Sequence, residues 1–482
     1  MINFNNDIIF YICNKLQNSP KSIINLYNTN SLFSKYKLPL NLKSIMLKNI
    51  NFDTISSTKF HISSLNLHGP TVSEADLYLI SYFLYNSLES ISINYSPKIK
   101  TITPLQDCIK LKELRLIGCY NLHNIEVCSK FTELHTLVMS YCTILFDINC
   151  IKNLYKLEEL IITRCIAINT YDAIQSLSNL IHLEITYNSK LESLVNCNFN
   201  KLKHLVLTYC SNLTSINNNY PNLVSLDIYG CKDIFDYNFL LNCRKLNKLY
   251  CNRNYEITNI NFLQNCNKLN ELQLIYVTNL TDISFIQYCP YITNLNLTGT
   301  NMTNLSPLDN LKCLTKCNLT MCTNLTNIDF IKECPLLQIL YLCDCNKIND
   351  FNVLLTCINL IEIYLSKCTQ ITSIYFLQNS TKLKILYLSY CSNLININYL
   401  NNLINLKTLN LTNCKIRDLC NLQFLQKLMS LDISNCFYIH NIKPLLKCSK
   451  LININISNSF HIKNKELLNH LQIYDPRFYI ES

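Results

Sequence analysis

Apolar residues in this chain recur in the phrase L-x-x-L-x-L-x-x-C, and the ninth position of the phrase returns with a step of 21 to 23 residues. Read in order, that position holds Ser96, Cys119, Cys142, Cys165, Asn188, Cys210, Cys231, Asn254, Val277, Thr300, Cys322, Cys345, Cys368, Cys391, Cys414, Cys436 and Ser459. A sustained period of this length is the mark of a solenoid, in which each repeat is one supersecondary unit that buries its apolar side only against its neighbours. In one repeat the register runs Leu383, Leu386, Leu388, Cys391, Leu394, Ile397, Leu400, Leu403, and the next opens at Leu406. Leu386 and Leu388 alternate as a short strand requires, and the rest fall every third residue, which predicts a 3₁₀ or extended return segment. Each coil is therefore expected to be a strand, a turn and a return, with stacked strands forming one parallel sheet. Similar phrases at Leu42-Ile45-Leu47-Ile50 and Ile62-Leu65-Leu67-Pro70 bring the count to about nineteen coils over residues 38–475, followed by a tail at 476–482.

Residues 1–37 break the period. Ile8, Ile9, Ile12 and Leu16 make one helical stripe after Asp7, Ser19 precedes Pro20 as a cap before a first-turn proline, and Ile23, Ile24 and Tyr27 make a second stripe. A small helical cap that covers the end of the solenoid is the simplest expectation.

The repeat phrase resembles the leucine-rich repeat superfamily. Its strand-plus-cysteine form is similar to the cysteine-containing subclass, and Thr300-Asn301-Met302-Thr303-Asn304-Leu305-Ser306-Pro307-Leu308 is similar to the short type with 3₁₀ turns. The resemblance implies an α/β solenoid, a horseshoe or arc with a concave parallel sheet and convex 3₁₀ or extended segments. The N-terminal residues Phe4-Asn5-Asn6-Asp7-Ile8-Ile9, then Ile12 and Leu16, then Ile23-Ile24-Asn25-Leu26 and Ser31-Leu32-Phe33, resemble an F-box. That resemblance implies that Ile8, Ile9, Ile12 and Leu16 dock on a cullin-ligase adaptor, with the solenoid holding the substrate.

Composition narrows the chemistry. The 27 cysteines do not read as a disulfide framework, because eleven stand at the ninth repeat position. Eight more (Cys108, Cys128, Cys243, Cys266, Cys289, Cys334, Cys357, Cys448) recur a few residues before the next repeat opens, a place where Leu154, Leu177, Leu311, Leu403 and Leu425 stand in other coils. Cysteine interchanging with leucine is a buried apolar residue, and with no C-x-x-C pair the thiols are expected to be reduced in a cytoplasmic setting. The abundance of Asn, Ile, Lys and Tyr is what an AT-rich genome encodes, so much of the asparagine richness is attributed to base composition. The four glycines, Gly69, Gly118, Gly230 and Gly299, all stand at position eight, where the strand turns.

A formal charge of +10 is spread over 482 residues without a basic run, which argues against a nucleic-acid or membrane tail. There is no apolar run long enough to span a bilayer and no basic leader before an apolar stretch.

No phosphate-cradling glycine loop, G-x-S-x-G or H-E-x-x-H occurs, so no catalytic residue, metal ligand or cofactor is assigned. Glu159, His182 and His204 share the third position of consecutive repeats and are the one grouping with metal-binding chemistry. The strand face carries a stronger signal. Ile339, Tyr341, Glu362, Tyr364, Lys367, Ile385, Tyr387 and Tyr390 occupy outward positions in three consecutive coils, with Tyr250 and Tyr276 farther back. Aromatic and aliphatic side chains at positions that face water form a contact patch for a protein partner. The expected function is thus a non-enzymatic protein-interaction scaffold, with substrate recognition for a cullin-type ubiquitin ligase as its sharper form. A nucleic-acid-binding solenoid and a metal- or thiol-dependent enzyme on the same frame are the competing classes.

Overall fold

A computed structural model describes residues 61–463 except 195–196 and 217–218, together with the short strands Asn41–Leu42, Ile45–Leu47 and Gln472–Tyr474. The N-terminal segment with Ile8, Ile9, Ile12 and Leu16 lies outside the described residues. The chain divides into two compact units, residues 1–242 and 243–482.

Both units are built from the predicted coil. In the first, parallel strands follow one another in chain order from Ile45–Leu47 through Ser64–His68, Ser90–Asn94, Glu113–Ile117, Thr136–Ser140, Glu159–Thr163 and His182–Thr186 to His204–Val206 and Ser225–Asp227. In the second, eleven strands run in the same manner from Lys248–Tyr250 to Gln472–Tyr474. Every pairing aligns equivalent repeat positions, for example Leu340 with Ile363, Leu386 and Leu409. A slip of one residue would expose this whole row, so the buried leucines fix the register. Leu383, Leu386, Leu388, Cys391, Leu394, Leu400 and Leu403 have no accessible surface. The return segments are mostly short 3₁₀ turns such as Asn398–Asn402.

Between the strand and its return the chain reverses through a left-handed residue at position eight. Three glycines adopt it, at φ +67° to +73°, and so do fourteen other residues, among them Tyr141, Arg164, Tyr187, Tyr209, Tyr276, Lys367 and Tyr390. An L-residue pays about 1–2 kcal/mol for this conformation. The coil requires it because the next buried residue, at position nine, must point back into the core.

Position nine is more than a small apolar site. The Cys391 thiol donates to the Leu365 carbonyl of the preceding coil at 3.2 Å, and Cys345, Cys368, Cys414 and Cys436 make the same bond at 3.0–3.1 Å. At two of the positions where cysteine is replaced the donor is kept: the Asn188 amide donates to Ile162 O at 3.2 Å and the Ser459 hydroxyl to Ile433 O at 2.8 Å. Buried backbone carbonyls need a partner, and this column supplies one from coil to coil. None of the described cysteines is in a disulfide.

Two expectations need correction. Asparagine is not idle: Asn279, Asn301, Asn359, Asn393 and Asn405 each donate from the side chain to a carbonyl of the preceding coil at 2.8–2.9 Å. A further column of Asn and Asp caps the 3₁₀ turns, as Asn396 does for the Asn398 N–H and Asp350 for the Asn352 N–H. The second departure is an α-helix, Glu74–Leu84, where the other coils have a 3₁₀ or extended return. The Asp76 carboxylate accepts the Ser73 N–H at 2.7 Å to start it, and Leu77, Ile80 and Leu84 face the core.

Candidate partner-binding face

The strand face of the second unit brings together part of the residue set read from the sequence. Strands Ile339–Tyr341, Glu362–Tyr364 and Ile385–Tyr387 pair in register, so Ile339, Glu362 and Ile385 form one row and Tyr341, Tyr364 and Tyr387 the next. The phenol rings stack on one another, Tyr341 on Tyr364 at 4.4 Å between centroids and 8° between planes, and Tyr364 on Tyr387 at 5.1 Å and 28°. Strand spacing of about 4.8 Å sets this distance, since side chains at one repeat position stand directly side by side. Stacking covers both faces of Tyr364 and leaves ring edges and hydroxyls outward. The three tyrosines and both isoleucines are half-buried.

The Tyr364 hydroxyl donates to Glu362 Oε2 at 3.0 Å, and the Lys316 ammonium lies 5.6 Å from the Tyr341 ring centre. Burial, then the Glu362 carboxylate, pushes the Tyr341 and Tyr364 hydroxyls above the ordinary tyrosine range, so they remain hydrogen-bond donors. Ser389 Oγ donates to Ser366 Oγ at 2.7 Å in the row beyond.

Three residues of the expected patch stand apart from this stack. Tyr250 is separated from Tyr341 by Gln273, Asn296 and Asn318 in the same register. Tyr276 and Tyr390 are not on the strands but at the left-handed turn, at φ +56° and +61°. Tyr390 is 48% exposed. Tyr276 instead lies over Gly299, with its hydroxyl 3.3 Å from Met321 Sδ. The turn position thus makes a second line of stacked groups that the sequence reading missed. In the first unit Arg164 sits 4.0 Å from the Tyr187 ring centre and Tyr187 stacks on Tyr209 at 4.6 Å. Aligning the coils and reading column eight alone would have found it.

On the strand face of the first unit Glu159, His182 and His204 do lie on consecutive strands. They do not converge: His182 Nδ1 is 3.5 Å from Glu159, its Nε2 is 3.9 Å from Glu184, and the His204 ring centre is 5.9 Å away. With its two nitrogens turned to different carboxylates, His182 cannot draw the trio onto one ion, and no metal-binding cluster occurs among the described residues. Arg115 pairs with Glu113 and reaches Glu159 at 3.9 Å. Against burial, which raises it, hydrogen bonds from Arg115 and Ser90 hold the Glu113 carboxyl below its usual range. Burial, and secondarily Glu184, pushes the Asp227 carboxyl up.

A cavity of about 410 Å³ in the first unit is lined by His123, Asp147 and Cys150, residue types that serve thiol chemistry. Their polar atoms are turned elsewhere: His123 Nδ1 lies 3.4 Å from Asn121 O, Cys150 donates to Ile125 O at 3.3 Å, and the Asp147 carboxylate accepts the Asn149 N–H at 2.7 Å. A nucleophile needs its base within hydrogen-bond reach, which this arrangement lacks. No described helix is long and apolar enough to cross a membrane.

No protein-family model and no curated protein matches the sequence. Solved structures do. The functional domain of InlJ from Listeria monocytogenes, which includes a cysteine ladder, is similar over 80% of this chain and 80% of that one, with a TM-score of 0.60 and 19% identity. The fold is that of leucine-rich repeats. TLR13 in its complex with ssRNA13 is similar over 82% of this chain and 61% of that one, with a TM-score of 0.53 and 18% identity. At such identities the likeness is one of fold.

Proposed function

We propose that this protein is a non-catalytic recognition scaffold that holds a protein partner on the strand face of its second unit, over Tyr341, Tyr364 and Tyr387 and the flanking Ile339 and Ile385. The observation that carries the reading is the row of three half-buried tyrosines on consecutive strands, Tyr341 stacked on Tyr364 and Tyr364 on Tyr387. Rings locked against each other lose little further entropy on binding, and tyrosine buries large area while keeping a polar tip. A nucleobase binds such residues by stacking on a free ring face. Both faces of Tyr364 are already taken, which favours a protein over single-stranded nucleic acid.

The test is cross-linking of the full chain to its captured partner, followed by mapping of the linked residues. Cross-links should cluster on residues 316–410 and disappear in Tyr341→Ser/Tyr364→Ser/Tyr387→Ser while the far-ultraviolet spectrum is unchanged. Cross-links confined to other surfaces, or retained in the triple variant, would refute the assignment. The finer reading is that the N-terminal segment recruits a cullin-type ligase in the cytoplasm through Ile8, Ile9, Ile12 and Leu16. It predicts that deleting residues 1–37 removes ligase components from the captured material and leaves the strand-face partner in place. Ligase components retained by the deleted chain, or absent from both, would defeat it.

A further inference from the structure

Lysines border the tyrosine row on several sides. Lys316 is one strand before Tyr341, at 5.6 Å from its ring centre. Lys384 directly precedes Ile385, Lys407 directly precedes Thr408 on the following strand, and Lys367 stands at the turn of the coil that carries Tyr364. Lys367, Lys384 and Lys407 are exposed, Lys316 is half-buried, and none of the four is in an ion pair among the described residues. The nearby carboxylates on the same face are engaged: Glu362 accepts the Tyr364 hydroxyl at 3.0 Å, Asp344 accepts the Asn346 amide at 2.8 Å, and Asp432, two strands beyond Tyr387, accepts the Ser434 N–H at 2.9 Å. In the first unit the strand rows carry Glu113, Glu159, Glu184 and Asp227 beside Arg115, with Lys112 and Lys203 at the repeat position of Lys384 and Lys407 and Arg164 at that of Lys367. Around the apolar patch of the second unit four lysines thus stand without a carboxylate partner among the described residues.

Resting on the partner-binding reading above, we infer that the segment bound there is acidic and apolar: aliphatic or aromatic side chains meet the edges of Tyr341, Tyr364 and Tyr387, and flanking carboxylates meet Lys316, Lys367, Lys384 and Lys407. Complementary charge at the rim of a patch selects the partner and speeds its arrival, while the apolar centre holds it. Exposed ion pairs are individually weak, so the four lysines together are expected to provide about tenfold in affinity. The same lysines would attract a nucleic-acid backbone, and the covered ring faces are what favour a peptide over it.

The experiment uses the full chain and four fluorescent probes. These are a twelve-residue peptide of alternating Glu with Leu or Phe, its Gln and Lys counterparts, and a thymidine oligonucleotide, titrated by anisotropy at low and at higher salt. The Glu peptide should bind about tenfold more tightly than the Gln peptide and more tightly still than the Lys peptide, with the advantage fading as salt rises. Lys316→Gln/Lys367→Gln/Lys384→Gln/Lys407→Gln should remove that advantage, and Tyr341→Ser/Tyr364→Ser/Tyr387→Ser should remove binding. Equal binding of all three peptides, lost in the tyrosine variant, would overturn the acidic partner and leave the partner face standing. Glu-peptide binding that needs the lysines and not the tyrosines would overturn the combined site, as would tighter, tyrosine-dependent binding of the oligonucleotide. Absence of binding by every probe would overturn both readings.

Discussion

Gly299 offers a direct measure of how one coil's turn is fitted to the next. Its φ of +68° suits glycine, but fourteen other residues hold the same turn position, so conformation alone does not forbid a side chain. What forbids it is the neighbour: a Cβ on Gly299 would come within 2.5 Å of Tyr276 Cε1. Gly299→Ala should therefore cost two separable amounts, about 1–2 kcal/mol for the left-handed backbone and about 1–3 kcal/mol for the overlap. The second amount has a ceiling, because the Tyr276 ring can swing away at the expense of its contacts with Met321 Sδ at 3.3 Å and the Arg253 guanidinium at 5.8 Å. Such contacts are worth about 1 kcal/mol each at a surface. The overlap term should thus settle near 1–2 kcal/mol. In a Tyr276→Ala background it should vanish, leaving only the backbone cost. A double-mutant cycle from urea unfolding, restricted to variants of equal m-value, reads the difference as a coupling of about 1–2 kcal/mol. If Gly299→Ala costs the same with and without Tyr276, the ring does not fill that space and the argument fails.

The other turns predict the reverse sign. Lys367 is left-handed at φ +63° and has no ring contact among the described residues, so Lys367→Gly should stabilise by about 1 kcal/mol in the same urea assay; a loss would show that its side chain holds the turn. Asn254 is fully buried at position nine with neither amide atom hydrogen-bonded, and Asn254→Cys, restoring the commonest residue of that column, should stabilise by about 1–3 kcal/mol. Destabilisation would mean that Asn254 finds a partner in solution. Tyr341→Ser/Tyr364→Ser/Tyr387→Ser removes two ring stacks and should cost about 1–3 kcal/mol of stability while abolishing partner binding, measured by calorimetry and anisotropy; retained binding would retire the patch. Burial pushes the thiols of Cys119, Cys368, Cys391 and Cys436 up to about 12, whereas an unfolded thiol titrates near 8.5. Above about pH 8.5 the unfolded chain sheds protons that the folded one keeps, so stability that is full below that pH falls by about 1.4 kcal/mol per pH unit for each thiol. Replacing these four by Ser, the residue already at position nine in Ser96 and Ser459, should move the alkaline unfolding midpoint upward, and an unmoved midpoint would refute the mechanism.

How much of this was legible in the sequence depends on whether a residue type is rare or common in the chain. Leucine spacing fixed the strand, the register and the core, because a period repeated over so many coils leaves one way to bury Leu386 with Leu340, Ile363 and Leu409. The glycines marked the turn because there are only four. Asparagine and tyrosine are everywhere, and in them the signal was diluted. The caps Asp350 and Asn396 and the bridges from Asn359 and Asn393 become visible only when coils are aligned and single columns are read. The helix at Glu74–Leu84 had a local signature, Ser73 followed three residues later by Asp76, that the expectation of uniform coils obscured.

The same dilution explains the tyrosine patch. Composition alone can place Tyr at an outward strand position, as it does at Tyr250, where Gln273, Asn296 and Asn318 follow in register. Three tyrosines on consecutive strands at one position are different in kind, since strand spacing then brings ring against ring at 4.4 and 5.1 Å. At position eight the solenoid makes a related choice in another way. Tyr95, Tyr209 and Tyr276 each lie over the glycine of the following coil, so there the ring faces are spent on the frame itself. At position five no glycine receives the row, and the edges of Tyr341, Tyr364 and Tyr387 stay turned to solvent. A column that stacks without covering backbone is the one placed to recognise something else, and the unpaired lysines around it set the charge of what it recognises.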